Sequence, residues 1–135
     1  TGDVGSDPSL AIGADGRPVI SYYDATNGDL KVAVCSTTTC TGTPTITTVD
    51  SAGNVGQFSA LAIGLDGRPV ISYRDASTFD LKVAVCTTAA CTGTPTITIR
   101  LAEQPQETTQ ESHRRQSHAI RRYGCRITRN NTPDR

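Results

Sequence analysis

The sequence predicts an all-β fold made of two copies of one four-stranded antiparallel unit. Two observations carry this. The stretch Leu10–Thr47, LAIGADGRPVISYYDATNGDLKVAVCSTTTCTGTPTIT, returns 51 residues later as Leu61–Thr98, LAIGLDGRPVISYRDASTFDLKVAVCTTAACTGTPTIT, with 30 of 38 aligned positions identical. A repeat of that length and fidelity sets the architecture before any single residue is weighed. Thr, Ser, Gly and Val dominate both copies, a mixture that favours strands joined by tight turns over helices.

Each copy reads as four short strands. Leu10–Ile12 is the first, short and apolar. Ala14-Asp15-Gly16-Arg17 follows as a hairpin turn, because Asp-Gly supplies the positive φ angles a tight hairpin needs. Pro18 opens the second strand, where its missing N–H does least harm. There Val19, Ser21 and Tyr23 alternate with Ile20, Tyr22 and Asp24. Asn27-Gly28-Asp29 is a second turn. The third strand, Leu30–Cys35, sets Leu30, Val32 and Val34 on one face and Lys31, Ala33 and Cys35 on the other. Cys40 to Pro44 makes a loop, Thr45–Val49 is the fourth strand, and Asp50–Gln57, rich in Gly, Ser and Asn, reads as a linker. The second copy repeats the pattern at Leu61–Ile63, Pro69–Asp75, Leu81–Cys86 and Thr96–Ile99.

Four antiparallel strands in a unit of about 50 residues is the signature of a β-propeller blade. A β-solenoid and a sandwich of two duplicated sheets compete with it, but solenoid rungs are usually shorter and sandwich halves are seldom near-identical. The expected organisation is therefore a repeat region over residues 1–100, holding two β-propeller-type blades at about 4–50 and 55–100. Propellers need at least four blades to close, and two would leave both outer faces uncovered. The expectation is thus a fragment of a larger repeat array, whose partners are further blades of the same chain or other copies of it. The first residue is Thr1 and there is no Met, which fits a processed chain or a piece of one. Taken alone, such a chain is expected to be marginal or self-associating.

Charge divides the chain. Residues 1–100 hold six Lys and Arg against nine Asp, and residues 101–135 hold seven Arg against four Asp and Glu, so a formal net charge of zero hides an acidic repeat region and a basic tail. The tail, 101–135, has no period-2 strand and carries Arg114-Arg115 and Arg121-Arg122. It reads as disordered on composition, with a loose helix over Glu107–Gln116 as a local option. A basic tail is compatible with acidic polymers, yet Tyr123 is its one aromatic and no nucleic-acid motif is present, so nucleic acid is not an expected partner. An out-of-frame third repeat is a further reading of the same stretch. No apolar run approaches the roughly 20 residues that span a bilayer, so no membrane span is expected.

The cysteines follow the repeat. Cys35 and Cys40 are spaced like Cys86 and Cys91, each pair bracketing four residues of a loop between adjacent strands, and Cys125 is left over in the tail. Loop ends brought close suit disulfides Cys35–Cys40 and Cys86–Cys91, with Cys125 unpaired and an oxidising, extracellular or cell-surface setting. Zinc is the competing reading, but neither copy contains the His that often completes such a site. No metal and no cofactor is expected.

The phrases DGRPVISYYDATNGDLKVAVC and ITTVDSAGNVG resemble the tandem repeats of large secreted bacterial proteins of the β-propeller type, distantly similar to the sialidase-like (BNR) repeat superfamily. The resemblance covers residues 4–100. It implies a propeller-type fold and a secreted, cell-surface location, and it keeps open an enzymatic role as part of a sialidase-like glycoside hydrolase whose catalytic residues lie elsewhere.

Within the repeats, chemistry is sparse. Asp24 and Asp75 are a pair of carboxylates, the residue type glycoside hydrolysis uses, but they are one position repeated by symmetry, and an active site needs different residues in different roles. Asp24-x-x-Asn27-Gly28-Asp29 offers oxygen ligands for calcium, yet the second copy reads Asp75-x-x-Thr78-Phe79-Asp80 and loses the Asn and the Gly. An Asp that holds its own turn accounts for both. Six of the eight differences between copies fall at strand ends or in loops, among them Tyr23/Arg74, Asn27/Thr78 and Gly28/Phe79. Constant strands with varied loops fit a scaffold that presents a surface, and drift fits them equally. The candidate ligand-binding residues are accordingly Tyr23, Asp24 and Asn27 in one copy and Arg74, Asp75 and Phe79 in the other. The expected function is a non-catalytic structural or adhesive module that binds glycans or cell-surface proteins, with the glycoside hydrolase fragment as the alternative.

Overall fold

Two meandering sheets, each made by one copy of the repeat, lie face to face in the computed structural model, which describes residues 2–100. The first sheet is β1 (Val4–Ile12), β2 (Pro18–Asp24), β3 (Asp29–Val34) and β4 (Thr45–Asp50), and the second is β5 (Val55–Ile63), β6 (Pro69–Asp75), β7 (Leu81–Val85) and β8 (Thr96–Arg100). Neighbours in sequence are neighbours in the sheet, all antiparallel, and no helix occurs among the described residues. The expected tail, 101–135, lies outside the described residues, as does Cys125.

The Asp-Gly turns form as the sequence predicts. Asp15 Oδ1 accepts from the Arg17 amide at 3.0 Å, the Gly13 amide donates to the Arg17 carbonyl at 2.8 Å, and the same bonds recur at Asp66 and Arg68. Salt bridges from Arg17 and Arg68 to these carboxylates add little at such exposed positions.

One expectation is corrected. The stretch Asp50–Gln57 is not simply a linker: Asp50 ends β4, and Val55–Gln57 already belong to β5. The first strand of each copy is nine residues long, not three. Gly, Ser and Asp-Pro in these segments are loop residues by composition, but here they make bulges. Register shifts interrupt the β1–β2 pairing between Val4, Ser6 and Ser9, and the β5–β6 pairing between Val55, Gln57 and Ala60. Gly56, Asp7 and Phe58 take up the irregularity at φ 108°, 50° and 53°.

Alternation gives each sheet a front and a back face. On the front of the first sheet, Val19, Ser21, Leu30, Val32 and Val34 are all buried. They pack against the back of the second sheet, where Ile71, Tyr73 and Ala84 are buried and Leu61 and Ile63 lie against the same core. Among the described residues nothing covers the front of the second sheet or the back of the first in this way. Leu30 is 0% exposed, and its counterpart Leu81 is 51% exposed. Leu10 and Ile12 are exposed where Leu61 and Ile63 are packed. Identical segments thus have opposite fates, set only by which side a neighbour stands on.

Polar bonds pin the junction. The Phe58 amide donates to Asp7 Oδ2 at 3.1 Å, the Leu61 amide to Ser9 Oγ at 3.0 Å, and the Ser21 and Ser59 hydroxyls lie 2.8 Å apart. The Val55 amide donates to the Gly28 carbonyl at 2.9 Å. Beside it the backbones come so close that a Cβ on Gly56 would stand 2.8 Å from the Leu30 Cα. Only glycine fits there.

Candidate functional site

The candidate residues gather where β2 and β6 end and their turns begin. Asp24 and Asp75 are 1% and 2% exposed and are engaged by their own chain. Asp24 Oδ1 accepts from the Thr26 and Asn27 amides at 3.1 and 3.2 Å, and its Oδ2 accepts from Asn27 Nδ2 at 2.8 Å and from the Lys31 ammonium. The Lys31 bond, followed by that of Asn27, holds the Asp24 pKa down at about 2. Asp75 repeats the arrangement: Oδ1 accepts from the Ser77 and Thr78 amides at 2.8 and 3.3 Å, and Oδ2 lies 2.8 Å from Lys82 Nζ. Burial opposes ionisation of Asp75, but Lys82 and the turn amides outweigh it and leave its pKa lowered. Both carboxylates therefore build turns, by the Asx geometry that Asp favours.

The remaining candidates differ between the sheets: Asn27 and Phe79 are exposed, and Tyr23 and Arg74 are half-buried. The Tyr23 hydroxyl donates to Asn54 Oδ1 at 2.6 Å, and the Asn54 amide donates to Ser77 Oγ at 2.7 Å, so Tyr23 is tied through Asn54 to the turn of the second sheet. Asn27 is exposed on its turn. Arg74 lies over the ring of Phe79, with Cζ 5.1 Å from the centroid, and donates to Gln57 Oε1 at 3.2 Å. Phe79 is 75% exposed and sits at φ 66°, where the first copy places Gly28 at φ 74°. A bulky side chain in the left-handed region is strained, by about 1 kcal/mol or more. The structure thus brings Arg74 and Phe79 into one stacked pair. Asn54, the partner of Tyr23, and Gln57, the partner of Arg74, both lie in the stretch read from sequence as a linker.

One polar cluster was not anticipated from the sequence. Asp50, buried at the end of β4, accepts from the Tyr73 hydroxyl at 2.7 Å and lies 3.4 Å from Lys82 Nζ, which also pairs with Asp75. Tyr73 is 1% exposed, and burial, then Asp50, pushes its hydroxyl pKa well above the usual range. Burial works against the Lys82 charge, but Asp75 and Asp50 together leave its pKa raised. Three charges and a phenol thus sit at the junction of the sheets with every buried side-chain donor and acceptor among the described residues partnered. The available signal was a Lys near the start of the apolar run LKVAV, at 31 and again at 82.

The cysteines pair within each loop, Cys35 with Cys40 and Cys86 with Cys91, at Cα separations of 4.8 and 4.9 Å. Among the described residues no group of three or more His, Cys, Asp or Glu is placed to hold a metal ion, and no helix is long and apolar enough to cross a membrane. No protein-family model matches this chain, and neither does any curated protein or solved structure.

Proposed function

We propose that residues 4–100 are two successive β-propeller-type blades of a non-catalytic extracellular scaffold, which binds a glycan or a protein surface at the edge carrying Tyr23, Asn27, Arg74 and Phe79. The observation that carries the binding role is the Arg74–Phe79 pair. An aromatic ring three-quarters exposed, on a strained backbone, over a guanidinium 5.1 Å away, costs stability and fills no core. Strain held at an exposed aromatic favours recognition, where rings supply apolar area and Arg supplies hydrogen bonds. The blade reading draws on the meander order of each sheet and on the front-to-back packing of one copy on the next. The two cysteine pairs fit an oxidising, extracellular location.

Glycan arrays and pull-downs of surface proteins test the reading. Once a ligand is found, Phe79→Gly, which installs the residue of the first copy, should weaken binding about tenfold or more, and Arg74→Ala and Tyr23→Ala should weaken it too. Arg17→Ala and Arg68→Ala, at the opposite end of the strands, should leave it unchanged. Equal loss from both sets would place the site elsewhere, and turnover of a bound glycan would favour the glycoside hydrolase alternative.

A further inference from the structure

We infer that a second copy of this chain docks on the uncovered front of the second sheet with the uncovered back of its first sheet, so that copies associate head to tail. The inference rests on the blade reading above and not on any ligand of the Phe79 edge. The chain contains the template for this contact. Inside one copy, the front of the first sheet already packs on the back of the second. The residues that do so, Leu30 and Val32 against Ile71 and Tyr73, are repeated as Leu81 and Val83 on the open front and Ile20 and Tyr22 on the open back. Surfaces that fit each other within the chain fit each other between chains. The open front includes a shallow apolar hollow lined by Ala62, Val70 and Val83 among others, of the kind a neighbouring sheet fills.

Charge supports the same register. In the internal junction the Tyr23 hydroxyl meets Asn54. Shifted by one repeat, these positions are Arg74 on the front and Asp3 on the back, a cation facing an anion. Asp3 is already posed like Asn54: its amide donates to Thr26 Oγ1 at 2.7 Å, as that of Asn54 donates to Ser77 Oγ. Other positions weaken the copy-to-copy contact relative to the internal one. Asp7 and Ser9, which accept backbone amides across the internal junction, are matched by Phe58 and Ala60, and position 101 is Leu where the first copy has Asp50. Association is therefore reversible and concentration-dependent. A front-to-back contact is heterologous, so it closes into a ring or grows as an array. A ring of about 4–8 sheets takes about two to four copies.

Sedimentation velocity of the full chain, in buffer free of glycan, reads this directly. The mass should rise above the 14.2 kDa of one copy as concentration increases. Leu81→Glu blocks only the front and Leu10→Glu only the back, and both residues are exposed in the single chain, at 51% and 58%. Each variant alone should raise the association midpoint about thirtyfold or more, the effect of losing a central interface residue. An equimolar mixture of the two should form a complex of two copies and nothing larger, because one live front meets one live back. Arg74→Asp and Asp3→Arg should each weaken association, and the double variant should recover it, which keeps the test intact if a Glu variant fails to fold. A chain that stays at one copy at every concentration overturns the inference. So does association lost with Leu81→Glu but kept with Leu10→Glu, since that describes two fronts meeting.

Discussion

Leu30 and Leu81 occupy the same place in two identical stretches, LKVAVC, yet one is fully buried and the other half exposed. Truncating each to Ala isolates the value of the neighbouring sheet. Leu30→Ala removes three carbons from a closed site, about 2.4 kcal/mol at roughly 0.8 kcal/mol per buried group. The cavity adds to this, because the Gly56 backbone pressed on Leu30 cannot fold into the gap without moving a strand. A total of about 3–4 kcal/mol is expected. Leu81→Ala gives up only part of the transfer energy and opens no closed cavity, so about 1 kcal/mol or less is expected. For a repeat region of this size each kcal/mol moves the melting temperature by about 4–8 °C, so the two variants should separate by roughly 10–20 °C. Urea and thermal unfolding followed by far-ultraviolet circular dichroism measure this, at dilutions where the chain is a single copy. Losses of equal size at the two positions would refute the packing of the first sheet's front against the second sheet.

Tyr73→Phe should cost about 1.5–3 kcal/mol in the same assay, since it removes a buried bond to a carboxylate, whereas Tyr22→Phe at the open counterpart should cost less than about 0.5 kcal/mol. Acid should unfold the chain in a defined window. Asp24 has its pKa lowered to about 2, and Asp75 is lowered as well, so in acid the unfolded state takes up their protons first. Their contribution is complete above the unfolded value of about 3.9 and is lost as pH falls toward 2. Asp24→Asn should flatten that loss in an equilibrium unfolding series. Lys31 and Lys82, whose pKa values are raised, stabilise below about 10.4 and lose that contribution as pH rises further. Peptides from the unreduced protein should show Cys35 joined to Cys40 and Cys86 to Cys91, and reduction should cost about 2 kcal/mol per loop, whereas free thiols with bound zinc would contradict the pairing.

The inner strands were legible because their residues obey one rule at a time. Val19 to Asp24 alternate, Asp15-Gly16 turns, and Leu30, Val32 and Val34 share a face, so strand type, turn and face followed from local chemistry. β1 and β5 were legible only at their ends. Their first halves are written in loop residues, and it is the pairing to β2 and β6, a tertiary fact, that makes Gly56 and Asp7 into bulges. The turn-building role of Asp24 and Asp75 was readable from residue type and spacing. The Asp50, Tyr73 and Lys82 cluster was not, because its members are 23 and 32 residues apart and belong to different sheets. Nor could an internal repeat disclose which of two identical tyrosines is buried. That depends on which side of a copy its neighbour stands, not on what the copy contains.

The close approach of Gly56 to Leu30 fixes more than a contact. It is a point where the backbones of the two sheets nearly touch, so it acts as a spacer of zero thickness, and it sets the tilt of one sheet on the next. A methyl group inserted there would wedge the sheets open on one side. The clash is with the Leu30 backbone, and Gly56 itself sits at φ 108°, so even in a pair a strand has to move. In the proposed ring of such chains that displacement would recur once per copy, at the internal junction, since the copy-to-copy junction carries Gly5 at the equivalent position, and the last sheet would no longer meet the first. Within the proposed ring Gly56 would act as a gauge of curvature: a residue whose tolerance is set by the circumference of the assembly as well as by the stability of one pair.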